Sequence, residues 1–195
     1  MAFSAVLDAC VLVPSVLRDV LIELGVMSVY RPVWSGRIEE EMENAIFRIH
    51  ARHGKDEEES RSYVLRMRKQ MNRALPDARV GDWEDLLPAV PGMRDPNDRH
   101  VVATALSGRA DVIVTFNLRD FEDGALPGGL FSQSPDDFLL DLLDLHPDLV
   151  MAALRAVSSR SGRKGPKWTV DDVIGCLEHE GLKDFAATCR SHAVR

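Results

Sequence analysis

Three cysteines in 195 residues, Cys10, Cys176 and Cys189, are few, odd in number and far apart. They suggest neither a disulfide framework nor a zinc site, and each is expected to be a buried, inert thiol. Long apolar runs are missing too. No stretch approaches the length that spans a bilayer, and the amino terminus lacks a basic run followed by an apolar stretch and a small-residue cleavage site. The expectation is a cytoplasmic protein with no membrane contact. Positive charge is in deficit, with 24 Lys and Arg against 31 Asp and Glu and a net charge of −7. That balance argues against a protein that coats nucleic acid through bulk electrostatics, while leaving open a local grip on a short piece. Divalent cations bound among clustered carboxylates would cancel part of the deficit. Internal repeats and low-complexity tracts do not occur.

What remains is an ordinary globular composition, 45% hydrophobic, in a chain long enough for one domain and an appendage. Residues 3–7 read as a first strand with Asp8 at its carboxyl end. Pro14 and Ser15 open a helix carrying Leu17, Leu21 and Leu24 and closed by Gly25. A second short strand is expected over 26–30, broken by Arg31 and Pro32. Ser35 caps a helix to about His53 with Ile38, Met42, Ala45 and Ile49 inward. Residues 55–60 read as a loop or frayed start to a helix over 61–75, which turns Val64, Met67, Met71 and Leu75 inward and Arg66, Lys69 and Arg73 outward. Ala89, Val90 and Pro91 are expected to form a short strand.

The centre of the chain is the run from Asp95 to Phe121. Asp98 stands before a helix whose Val101, Val102, Ala105 and Leu106 share one side, and Gly108 stops it. Residues 110–114 are short, apolar and rich in β-branched residues, as suits a parallel strand covered on both faces. Thr115, Asn117 and Asp120 come directly after it. The β-α-β order favours a parallel sheet with right-handed crossovers, so Asp8, Thr115 and Asn117 share the edge where ligands gather. Past the turn-rich 123–129 every element is helical. Ser134 to Asp137 and Thr169 to Asp172 are N-terminal capping signals, Pro147 restarts a helix through Val157, residues 158–167 are Gly-rich and basic, and Gly181 closes a helix. The fold class expected is α/β, a parallel sheet flanked by helices over 1–132, with an all-helical C-terminal appendage over 133–195.

Asp8, an acid from the Glu39/Glu41 pair, Asp98 and the group Thr115, Asn117 and Asp120 thus converge on one sheet edge. Several carboxylates do not crowd together ionised unless a cation compensates them. All-oxygen ligation suits Mg²⁺ or Mn²⁺, and the chemistry such ions serve at phosphate oxygens is phosphodiester hydrolysis. Along the helix Glu40 and Glu43 point away from the apolar stripe, while Glu39 and Glu41 flank it.

VLDACVLV at the start, WSGRIEEEMENAI in the middle and DPNDRHVVATALSGRADVIVTFNLRDF at the core together resemble a PIN-domain ribonuclease of the VapC toxin type. The likeness covers residues 1 to about 132, and its last motif is the specific one. It implies a Mg²⁺- or Mn²⁺-dependent endoribonuclease of PIN-like fold, RNA as substrate, an antitoxin partner that occludes the acidic groove, and commonly a homodimer. By position the family's acids fall on Asp8, Glu41 and Asp98, with Glu39 and Glu40 still open. Many relatives place a carboxylate where this chain has Asn117. Either Asn117 or Asp120 fills that fourth position; with Asp120 supplying the charge, the metal ligands are Asp8, Glu41, Asp98 and Asp120, and Thr115 and Asn117 join them in the catalytic set.

Structural readings stand beside these. Asp98 serves as an N-cap, Asp95 as a turn residue, Thr115 as a strand-end hydrogen-bonding group, and His100 needs no catalytic part. Arg66, Lys69 and Arg73 form a solvated face or a nucleic-acid contact, and Arg160, Arg163, Lys164 and Lys167 a solvated linker. Competing functions are a non-catalytic module binding RNA or a partner, a housekeeping RNA-processing nuclease, and an aspartyl-phosphate phosphatase. The last needs a second acid two residues after Asp8, where Cys10 stands.

Overall fold

Strand β1 (Ser4–Leu7) is buried at all four positions and lies at the centre of a five-stranded parallel sheet ordered β3-β2-β1-β4-β5. The computed structural model describes residues 3–90, 92–121, 126–162 and 165–193. Val6 of β1 lies opposite Val33 of β2 (Arg31–Ser35) on one side and Ile113 of β4 (Val112–Val114) on the other. The two-residue β3 (Arg79–Val80) and three-residue β5 (Phe131–Gln133) form the edges. Because the chain winds from β1 one way to β2 and β3 and the other way to β4 and β5, the strand order reverses between β1 and β4. A crevice opens at the carboxyl ends of such a pair. Asp8 and Thr115 are the residues that emerge there, and the Asp8 N–H reaches the Val114 carbonyl at 3.2 Å.

The second strand lies later than the sequence suggests. After α1 (Ala9–Leu12), helix α2 (Ser15–Val26) runs through Gly25, and β2 contains the proline expected to break it. The Arg31 N–H donates to Phe3 on the β1 side and the Trp34 N–H to Ala78 on the opposite side. Backbone groups alternate along a strand, so the missing N–H of Pro32 falls on the side away from β1, before β3 begins. Gly25 makes room for that ring: a Cβ there would stand 2.8 Å from Pro32 Cγ.

Helix α3 (Gly36–Arg52) starts on Ser35, whose Oγ accepts the Ile38 N–H at 3.4 Å. Its buried face is Ile38, Glu39, Met42, Ile46 and His50, one position on from the Ala45 and Ile49 expected, and Ile49 is exposed. His50 holds its place through Ser60 Oγ, 3.0 Å from Nδ1. Helix α4 (Glu57–Ala74) begins ahead of Arg61 because Asp56 caps it, accepting the Glu59 N–H at 3.0 Å. The stretch expected as a strand at Ala89 and Val90 is instead the end of a tight 3-10 turn over Glu84–Ala89, and Pro91 lies outside the described residues. Its carbonyls are satisfied by a side chain rather than a neighbouring strand: Arg99 Nη2 donates to Leu87 O at 2.6 Å and to Val90 O at 3.3 Å.

Helix α5 (Arg99–Gly108) is buried from His100 to Ala105 and ends with Arg109 in the left-handed region (φ 49°). The Ala110 N–H returns to Ala105 O at 2.9 Å, the bond of a Schellman turn. The left-handed position is therefore not Gly108; that glycine faces the sheet, where a Cβ would lie 2.5 Å from Val33 Cγ1. Helices α6 (Pro135–Leu145), α7 (Pro147–Arg160), α8 (Val170–His179) and α9 (Lys183–Ala193) follow, with Ser134 and Thr169 capping as expected. They share one continuous apolar cluster with the sheet. Phe138 meets Tyr30 edge-on at 5.0 Å and stacks on Phe3 at 6.4 Å, and Arg160 pairs with Glu23 of α2 at 2.6 Å. Part of the expected basic linker is thus engaged, with Trp168 N–H on Ser161 Oγ at 2.7 Å, while Arg163 and Lys164, like residues 123–125 of the expected turn, lie outside the described residues.

Candidate active site

Asp8 leaves β1 in extended conformation (φ −64°, ψ 154°) at the head of α1, yet its carboxylate caps nothing. One oxygen, Oδ2, is held by two adjacent donors, Thr115 Oγ1 at 2.7 Å and Cys10 Sγ at 3.1 Å, which lie 3.4 Å from each other. The donors are themselves fixed, since the Phe116 N–H points at Cys10 Sγ (3.3 Å) and the Asn117 N–H at Thr115 Oγ1 (3.0 Å). Fully buried Thr115 therefore orients an acid. Cys10 is an unreactive thiol, as expected, but it is half-buried and engaged in a hydrogen bond rather than idle. Burial first, and the Asp8 charge second, push its pKa up to about 12, so it stays protonated and acts as a donor.

Asp98 sits at the N-cap of α5 and makes no capping hydrogen bond. The turn before it is closed by Asp95, whose Oδ1 accepts the Asn97 N–H at 2.8 Å, as the turn reading of Asp95 expected. Released from capping, Asp98 turns inward, and its Oδ2 is buried without a hydrogen-bond partner among the described residues. Burial, then the charges of Asp8, Asp95 and Asp120, raise its pKa to about 6, opposed only by His100. An orphaned carboxyl oxygen surrounded by other acids is the situation a cation relieves.

The three adjacent glutamates separate cleanly. Glu39, 2% exposed, turns towards α4 and β3, accepting from Asn72 Nδ2 at 2.7 Å and lying 3.4 Å from Arg79 Nε. Glu40 points to solvent beside Arg37. Glu41 alone lines a pocket with Asp8, Asp98 and Asn117. There its Oε1 lies 3.1 Å from Arg37 Nε and 3.0 Å from His100 Nε2, although the buried imidazole is not aligned for a hydrogen bond. Asn117 donates its amide to Asp120, which also faces Arg94 at 4.0 Å; Asp120 stands behind Asn117 rather than on the pocket wall. Arg66, Lys69 and Arg73 are exposed on α4, and none of them lines this pocket. The pocket's own cations are Arg37 and Arg48.

Sequence reasoning gave Arg37, Arg48 and Phe116 no part in the site, and set Cys10 aside as an inert thiol and His100 as needing no catalytic role. The signal for Cys10 was its spacing, two residues after Asp8 on a one-turn helix. The two arginines lie on α3, whose acids drew the attention. Among the described residues no three His, Cys, Asp or Glu side chains close around a common point as a finished metal cage. Glu41 is drawn instead onto Arg37 and His100. The donor chemistry nonetheless fits a hard divalent ion: carboxylate and amide oxygens predominate, the one thiol is protonated, and one buried oxygen lacks a partner.

Residues 135–191 match the family described as the VapC50 C-terminal domain. Over 94 residues the chain is 52% identical to the protein named "Putative ribonuclease VapC50" of Mycobacterium tuberculosis (strain ATCC 25618 / H37Rv), the match covering 48% of this chain and 54% of that relative. The alignment thus spans about half the length of the curated relative. No solved structure matches the chain. Residues 4–119, which hold the whole sheet edge with Asp8, Glu41, Asp98, Thr115 and Asn117, match the family described as the PIN domain, and the chain belongs to that family.

Proposed function

We propose that the protein is a divalent-metal-dependent endoribonuclease, with Mg²⁺ or Mn²⁺ held by Asp8, Asp98 and Glu41, and that it acts as the toxin of a type II toxin–antitoxin pair. The observation that carries the reading is the buried, unpartnered Asp98 oxygen beside Asp8 in a pocket that Glu41 shares. When bound, the cation supplies positive charge to the phosphate oxygens and eases loss of a proton from water. The chain's residues do the positioning. Thr115 and Cys10 pin one oxygen of Asp8, so its other oxygen is presented in a fixed direction. Arg37 pairs with Glu41 at the wall, beside His100. Asn117 offers an amide oxygen without charge, and Asp120 behind it supplies the negative charge that many relatives carry at that place.

Support for RNA as substrate comes from membership of the PIN family and from the printed name of the relative. An antitoxin protein covering the acidic groove, a homodimer and a cytoplasmic setting follow from the VapC likeness and form part of the proposal. Among the described residues no helix is long and apolar enough to cross a membrane. The test is incubation of purified protein with single-stranded and structured RNA in Mg²⁺ or Mn²⁺. Cutting is expected with metal, stops in EDTA, and is abolished in Asp8→Asn while the circular dichroism spectrum is kept. Undiminished cutting by that variant removes the mechanism. Binding of RNA without any cutting favours the non-catalytic module.

A further inference from the structure

The acids leave one pocket side chain unexplained. Phe116 lies directly after Thr115 and, at 43%, is the most exposed of the seven phenylalanines. Leaving a phenyl ring in water forfeits the free energy that burial gives, so its place needs a reason. Phe3, also exposed, stacks on Phe138; Phe116 and Phe131 have no aromatic neighbour among the described residues. Of these two only Phe116 lines the pocket with Asp8, Asp98 and Asn117. Its backbone is fixed: the Phe116 N–H is on Cys10 Sγ (3.3 Å), the Thr115 N–H on Gln133 O (3.0 Å) and the Asn117 N–H on Thr115 Oγ1 (3.0 Å). A rigidly based ring loses little freedom when something stacks on it.

The surrounding groups say what that something is. Arg48 lines the same pocket and makes no ion pair among the described residues, and the exposed amides of Asn44 and Asn97 lie on its wall. A free guanidinium suits a backbone phosphate, amides suit base edges, and a bare π-face suits a base. We propose that Phe116 is a nucleobase platform. An unpaired base of single-stranded RNA stacks on it beside the phosphodiester at the acids, with Arg48 on a flanking phosphate. This inference rests on the nuclease reading and adds the side chain that seats the base: a duplex keeps its bases stacked inside and offers no free face. It also makes Phe116, a positioning residue, the determinant of where the strand is cut.

The experiment compares wild type, Phe116→Ala and Phe116→Trp in Mn²⁺ on a single-stranded oligoribonucleotide, a hairpin of the same sequence, and copies with one abasic nucleotide at successive positions around the cut. Phe116→Ala should lose roughly tenfold to a hundredfold in kcat/KM on the single strand and scatter its cut sites, while Trp restores both. In wild type, one abasic position should give a matching loss, and Phe116→Ala should add nothing further on that substrate. Wild-type rate and cut sites in Phe116→Ala, or equal losses on intact and abasic strands, overturn the platform. If wild type cuts nothing, the nuclease reading has failed. Fluorescence anisotropy of the same oligonucleotides in EDTA then decides the platform alone, which stands if Phe116→Ala weakens single-strand binding selectively and falls if it does not.

Discussion

Asp98 shows how one side chain reveals its task by what it leaves undone. An aspartate before a helix ordinarily bonds the free N–H groups of the first turn, worth about 1 kcal/mol. Here Asp95 closes the preceding turn and the Asp98 carboxyl goes inward, where burial and three neighbouring acids hold its pKa at about 6 against an ordinary 3.8. The folded chain therefore binds this proton more tightly than the unfolded chain does. Its contribution to the stability of the metal-free protein is fully present below about pH 4 and is lost as the pH rises through 6. Asp98→Asn should accordingly raise the melting temperature of the metal-free protein at pH 7.5, leave it nearly unchanged at pH 4, and abolish cutting. Thermal scans at the two pH values check this, and a lower melting temperature at pH 7.5 would place Asp98 among purely structural residues. The sequence could place Asp8 and Asp98, because each stands at a junction that buried apolar residues define. It left Glu39, Glu40 and Glu41 open. Neighbours on a helix diverge by about 100°, and only the partners Asn72 and Arg79 draw Glu39 away.

Among the elements, β1, α5 and β4 were legible because central parallel strands and the helix on them are nearly continuous apolar runs. β3 and β5 were not, since two or three residues at an edge carry no period. The register of β2 was missed for a definite reason. Pro32 reads as a breaker, and only the sheet shows that its missing N–H faces away from β1. Gly108 was read correctly as standing at the helix end but for the wrong cause, since the left-handed residue is Arg109 and the glycine serves close approach to β2. Gly108→Ala should therefore destabilise the fold by about 1–3 kcal/mol through overpacking against Val33, despite alanine's better helix propensity. Adding Val33→Ala should recover part of that loss, as urea unfolding of the two variants will show. Independent, additive effects would separate the two positions.

At the scale of the whole molecule, the C-terminal helices are continuous with the core. α7 packs along α2, and Phe138 of α6 rests on Tyr30. The sequence showed the helices and their caps, but periodicity says nothing of which surface an amphipathic helix meets. A chain ended at Gln133 should lose its near-ultraviolet circular dichroism and bind a hydrophobic dye, because the face of α2 under α7 becomes exposed. A cooperative melt of that fragment would show the sheet domain to be self-sufficient. On the proposed function, a chain of net charge −7 would meet RNA at acids that a bound cation neutralises, with Arg37 and Arg48 beside them. Calorimetric titration of Mn²⁺ into wild type and Asp98→Asn tests that most directly. Saturable binding in wild type, weakened at least tenfold in the variant, is the predicted result. No binding to wild type even with RNA present, or equal binding by both proteins, would contradict the account.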